Sequence, residues 1–234
     1  MTSELKVDKI SPASGTAFTL GDSGDTYTVP SGATLSIAGT INASSGTATG
    51  FDGTHVLLNT TTISDQANVT FDSSLITSTY KKYVVEFISC KLASDTYMSL
   101  FGSTDNGSNY GTSAAYQTTG AIFTSDSSSN SLYTRNNNGA DDLTLIGNAV
   151  SVDNGYLFNL TVEIYDPTKS GSVEKGILFR GFYNPPSGDM AGVYGAGTFR
   201  SGGGGAGSSA VNNIKFQAGT GNLASGTVKL YGVQ

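Results

Sequence analysis

The sequence predicts an all-β protein: an N-terminal β shaft followed by an antiparallel, jelly-roll-like β-sandwich head. Three observations predict it. Gly, Ser and Thr supply 31, 31 and 29 of the 234 residues, while charged residues are only 13%, about half the usual share. Lys and Glu, the staples of exposed helices, are scarce, and no segment sustains a 3.6-residue apolar period. Short apolar runs instead alternate with polar residues and end at Gly, Asn, Asp or Pro, the mark of strands and tight turns. Twelve Tyr and eleven Phe, with steady Val, Ile and Leu, give the chain a core to bury although its hydrophobic fraction is 37%. Wholesale disorder is therefore not expected.

The segments read in order as three parts. Residues 1–14 carry Leu5, Val7 and Ile10 among Glu4, Lys6, Asp8 and Lys9. That alternation suits an extended peptide docked on a partner sheet or groove, so these three apolar residues are the candidate anchor. Residues 15–50 hold apolar pairs separated by turns: Phe18 with Leu20, Tyr27 with Val29, and Leu35 with Ile37. Strands this short need neighbours to bury a face. Identical copies meeting along an axis would supply them, which makes those six residues the candidate trimer interface. Asn42–Gly50 reads as a linker.

Residues 54–234 read as the head. Strand signals run through His55–Asn59, Asn68–Phe71, Tyr83–Cys90, Thr96–Phe101 and Leu143–Ile146. They continue through Tyr156–Tyr165, Lys175–Phe182, Gly192–Tyr194, Val211–Gln217 and Gly226–Tyr231. In the 156–165 run, Tyr156, Phe158, Leu160, Val162 and Ile164 share one face, as in a half-buried antiparallel strand. Asp105-Asn106-Gly107 reads as a tight turn. Asp105–Gln117, Ser125–Asp142 and Tyr183–Gly207 read as loops, with Ser201–Ser209 the most mobile stretch. Eight or more strands at this spacing make a sandwich of jelly-roll type.

Net charge is −6, the wrong sign for a phosphate backbone, so no nucleic-acid partner is expected. Cys90 is the only cysteine, which rules out an intrachain disulfide and a cysteine-rich zinc site. No run approaches 18 apolar residues, so no membrane insertion is expected. The first ten residues hold no apolar signal core. A surface of extracellular type without a secretion signal fits a virion component released by lysis.

Three groups of segments add a resemblance. Leu5–Gly15 and Phe18–Leu35, as they stand here, resemble the opening of fibre proteins from marine tailed phages, cyanophages among them. Ile214-Lys-Phe with Gly226-Thr-Val-Lys-Leu-Tyr-Gly232 is similar to the closing strands of phage receptor-binding sandwiches, and Tyr83–Phe87 with Gly102–Tyr110 looks like the same domain. The resemblance implies a homotrimeric fibre, held at its N-terminus by another virion protein of tail or capsid, with a distal head.

Chemistry is weakly signalled. His55 is the single histidine, and no nucleophile elbow, zinc-protease or phosphate-loop pattern is present. Glu86 and Glu163 could meet as the carboxylate pair of a polysaccharide depolymerase, although Glu86, between Val85 and Phe87, is expected on a solvent face. Asp141-Asp142 reads as a turn. Asp22 with Asp25, and Asp105 with Asn106 and Asn109, could in principle hold Ca²⁺, but turn chemistry accounts for both groups. Cys90 reads as a small buried hydrophobe. No cofactor or metal is expected, and no catalytic residue. The receptor-binding candidates are Tyr110, Tyr116, Tyr133, Asn136, Asn137, Asn138, Tyr183, Asn184 and Tyr194. The expectation is a virion fibre that adheres to a host polysaccharide or outer-membrane component; the alternative is a capsid-decorating fibre or spike with a mainly structural role.

Overall fold

The computed structural model describes residues 26, 28–29, 31–33, 55–111, 115–125, 130–152, 156–171, 175–186, 190–199 and 209–233. The chain divides into two compact units, Met1–Phe51 and Asp52–Gln234. In the first, Ser31 and Gly32 form a turn with Gly32 at φ +84°, and Val29 is 47% exposed. The anchor candidates Leu5, Val7 and Ile10 lie outside the described residues, as do Phe18, Leu20, Tyr27, Leu35 and Ile37.

The second unit is all-β. Its strands are β1 (Val56–Gln66), β2 (Asn68–Phe71), β3 (Lys82–Leu92), β4 (Thr96–Ser103), β5 (Tyr116–Ser125) and β6 (Asn130–Ala140). They continue as β7 (Leu143–Val150), β8 (Phe158–Tyr165), β9 (Lys175–Tyr183), β10 (Met190–Phe199), β11 (Asn213–Ala218) and β12 (Leu223–Val233). One sheet has eight strands in the order β1-β12-β3-β8-β9-β10-β5-β6; the other has four, β2-β11-β4-β7.

The pairing explains the order. β1 pairs with β12, β2 with β11, β3 with β8 and β4 with β7, all antiparallel. That nesting is one long hairpin folded over on itself, the pattern of a jelly roll. The β5–β6 hairpin interrupts it between β4 and β7, and β9–β10 between β8 and β11. Both insertions join the larger sheet beyond β8.

Alternation sets the two faces. β8 buries Phe158, Leu160, Val162 and Ile164 and turns Asn159, Thr161, Glu163 and Tyr165 outward. Aromatic rings close the space between sheets: Phe87 lies 5.0 Å from Phe216 of the opposite sheet, edge to face, and 5.9 Å from Phe158. Cys90 is fully buried, and desolvation raises its thiol pKa to about 11, so it packs as a small hydrophobe. Asn106 and Gly107, at φ 57° and 90°, make the expected tight turn.

The structure corrects the loop assignments. Most of Ser125–Asp142 is β6, residues 190–199 of the Tyr183–Gly207 stretch are β10, and Tyr116 opens β5. Residues 201–208 of the expected mobile stretch lie outside the described residues. β6 is the outermost strand of its sheet and is exposed at residues 132–134 and 136–138 on both sides of the strand, so it lacks the apolar alternation by which a strand is recognised. β10 is obscured by its glycines, and packing requires one of them: a Cβ on Gly197 would stand 2.6 Å from Leu143 Cδ1 and 2.8 Å from the Gln117 carbonyl oxygen.

Candidate functional site

The two carboxylates of the expected pair lie near each other on the outer face of the larger sheet. Glu86 faces Thr161 across the β3–β8 ladder, and Glu163 faces Val84, so the two are diagonal neighbours on the outer face. Glu163 accepts hydrogen bonds from the Tyr165 hydroxyl at 2.6 Å and Lys82 Nζ at 3.2 Å. The Tyr165 bond, then Lys82, hold its carboxyl below the usual pKa. A general acid needs the opposite shift. Glu86 is engaged by the Tyr231 hydroxyl. His55 is exposed at the start of β1 with its ring edge-on to Tyr231 at 6.1 Å.

Asp105 acts as the keystone of its turn. Its carboxylate accepts from Ser103 Oγ at 2.7 Å, the Asn109 backbone N–H at 2.8 Å and Asn109 Nδ2 at 2.7 Å. These bonds, the Asn109 side chain first, bring its pKa down to about 2. Both oxygens are thus occupied by protein donors, and no cluster of three His, Cys, Asp or Glu side chains suited to a metal exists among the described residues. The turn is expected to draw full support from the charged carboxylate above about pH 4, the unfolded range, and to lose it as pH falls through 2. An NMR titration of the Asp105 carboxyl carbon should give a midpoint near 2. A midpoint near 4 would contradict this reading of the turn.

The receptor candidates divide. Tyr116 and Tyr183 are fully buried and cannot touch a receptor. Burial raises the Tyr116 phenol to about 12, and its oxygen accepts the Gly102 N–H at 3.1 Å, tying the two sheets together. Each ends up inside because it shares the core-facing register of its strand, with Ile122 in β5 and with Ile177 and Phe179 in β9. Tyr110 is half-buried; it donates to Asn213 Oδ1 at 3.0 Å and lies under Lys215 Nζ, 4.0 Å from its ring centre, so it pins the 105–110 turn to β11. Asn184 follows β9, and its carbonyl accepts the Ser151 N–H at 2.7 Å.

Tyr133, Asn136, Asn137 and Asn138 are exposed, on β6 rather than in a loop. The three asparagines line a shallow hollow of about 370 Å³ with Gln117 and Thr198. Three of its amides are already engaged: Gln117 Nε2 donates to Asn138 Oδ1 at 2.7 Å, and Thr119 Oγ1 to Asn136 Oδ1 at 2.8 Å.

Tyr194 is 56% exposed and belongs to a larger feature. On the outer face of the eight-stranded sheet, Phe123 of β5, Gly192 of β10 and Phe182 of β9 stand side by side across the ladder. Tyr194 faces Arg180 in the next row. With Ile88 and Asn159 these residues line a groove of about 620 Å³. It lies toward the end of the sheet where β1 stops, opposite the end where β1 starts, because Phe182 pairs with Asn159, next to the Phe158–Cys90 pair, while Val56 is level with Tyr83 and Ile164. Phe123, Phe182 and Arg180 were absent from the sequence-based candidates. The signal was there in β9, where Leu178, Arg180 and Phe182 alternate with the core residues Ile177 and Phe179, giving the strand two apolar faces.

The chain matches no protein-family model, no curated protein and no solved structure. The functional reading therefore rests on its own residues and geometry.

Proposed function

We propose that this chain is a virion fibre protein: a homotrimer held by its N-terminal peptide to the tail or capsid, whose sandwich head adheres to a polysaccharide or outer-membrane component of the host surface. The mechanism is binding without chemistry. The observation that carries the reading is the exposed aromatic groove on a rigid jelly-roll frame, at the end of the sheet away from the point where the chain enters it. Exposed apolar patches rimmed by polar groups mark interaction surfaces. The bonded state of Glu163 supports adhesion over hydrolysis. Three heads on one stalk turn weak sites into useful avidity.

The test is immunological. Antibodies raised against the chain should label the exterior of purified particles in electron micrographs and should block adsorption to host cells. Labelling without any effect on adsorption would favour the mainly structural, capsid-decorating role. No labelling of intact particles would overturn the virion reading.

A further inference from the structure

We propose that the outer groove is a saccharide slot, in which one pyranose ring stands above Gly192 with its faces toward Phe123 and Phe182. The proposal rests on the adhesive reading above and gives it a site and a ligand class. Gly192 is the cross-strand partner of both phenylalanines. Neighbouring strands stand about 4.8 Å apart, so the two phenyl groups rise from points about 9.6 Å apart with no side chain between them. Carbon surfaces meet at about 3.5–4.0 Å, so one ring with a wall on each side fills that gap and two do not. A Cβ placed on Gly192 meets nothing within 4 Å, so the floor of the slot is open.

A pyranose has the matching chemistry, with C–H faces for aromatic walls and hydroxyls around its edge. Donors and acceptors stand along the mouth of the slot. Tyr194 and Arg180 form the adjacent cross-strand pair, both exposed. Arg180 has no ion pair among the described residues. Asn159, paired with Phe182, accepts the Ser89 N–H on Oδ1 at 2.9 Å, which fixes its amide and leaves Nδ2 to donate. Ser89 itself sits at φ +50° in the irregular step of β3 against β8. Bulges and strained residues of this kind gather beside sites, where they re-aim side chains.

A second copy of the chain fits this surface less well. Ile88, Phe123, Leu132, Phe182, Met190 and Tyr194 are between 38% and 60% exposed. At about 150–250 Å² per large side chain they expose roughly 600 Å² of apolar surface, and it is the polarity of the surface beside them that disfavours a second copy. The next row is polar, running Tyr194, Arg180, Thr161, Glu86, Lys229.

The test measures retention of the full chain on a panel of immobilised neutral and uronate hexopyranose oligosaccharides. At least one should retain it. Gly192→Val should reduce that retention tenfold or more at an unchanged melting temperature, because the new side chain enters open space on a strand where valine is favoured. Phe182→Ala and Tyr194→Ala should weaken binding to the same saccharide. Retention unaffected by Gly192→Val, or retention by no panel member, overturns the slot. The adhesive reading fails separately: a chain that binds a saccharide but no host cell sinks adhesion and keeps the slot. If parent and Gly192→Val adhere to cells equally, adhesion stands and the slot falls. A lower oligomeric mass for Gly192→Val, without saccharide binding, assigns the groove to a second copy and also overturns it.

Discussion

Phe216→Ala is expected to destabilise the sandwich by about 3–5 kcal/mol, the range for an aromatic removed from a packed core. Phe216 is fully buried on β11 and is one of the rings through which the small sheet meets the large one. It touches Phe87 across the core at 5.0 Å and Phe71 of its own sheet at 6.4 Å. Its removal deletes contacts on both sides and leaves a cavity that neither sheet can close without losing register. Domains are stable by only about 5–15 kcal/mol, so the urea midpoint should fall by about a fifth or more. Phe123→Ala makes the same chemical change at a position 54% exposed, and a surface change of this kind should cost no more than about 0.5 kcal/mol. Equal shifts for the two variants would contradict the assignment of inner and outer faces.

That contrast also marks what could be read without a structure. β8 was legible because one of its faces is buried and the other wet, and period-two alternation follows from that alone. The Asp105-Asn106-Gly107 turn was legible because positive φ at two consecutive positions demands residues of that type. β6 was not. Alternation records burial, and consecutive positions that are all exposed, as 132–134 and 136–138 are, have none to record, so Asn136–Asn138 read as loop. The same blindness affected the candidate site. Aromatic residues were sought in loops, whereas the groove is built from outward positions of β5, β9 and β10. Its width depends on which three strands lie side by side, and β5 and β10 are 65 or more residues apart in the chain yet pair directly. Tyr194 stands among the candidates because it lies in the Tyr183–Gly207 stretch that reads as a loop; Phe182 does not, because it ends a stretch that reads as a strand.

Charged substitutions in the N-terminal unit are expected to break the proposed trimer. Val29 is 47% exposed within its own chain, so its apolar surface is available to symmetry copies. Burying such a side chain returns about 1.5–3 kcal/mol, and threefold symmetry would repeat the gain in every copy. In the proposed trimer, with Val29 and Ile37 at its interface, Val29→Asp and Ile37→Asp would add desolvation and mutual repulsion to the lost burial. Light scattering should give three chain masses for the parent and a concentration-dependent fall toward one for the double variant. Because the sandwich has its own core, its urea midpoint should remain unchanged. A parent that is monomeric at all concentrations would remove the fibre reading.

Adsorption competition puts the proposed role of the head, attachment of particles to cells by binding alone, to the test. Purified full-length chain is added to host cells before the particles, and free particles are counted over time. The account predicts that adsorption slows with increasing chain and saturates at a low residual rate. It also predicts little change between low and moderate salt, because a chain of net charge −6 is not drawn to the cell by attraction to anionic envelope groups. Undiminished adsorption at saturating chain would contradict the account.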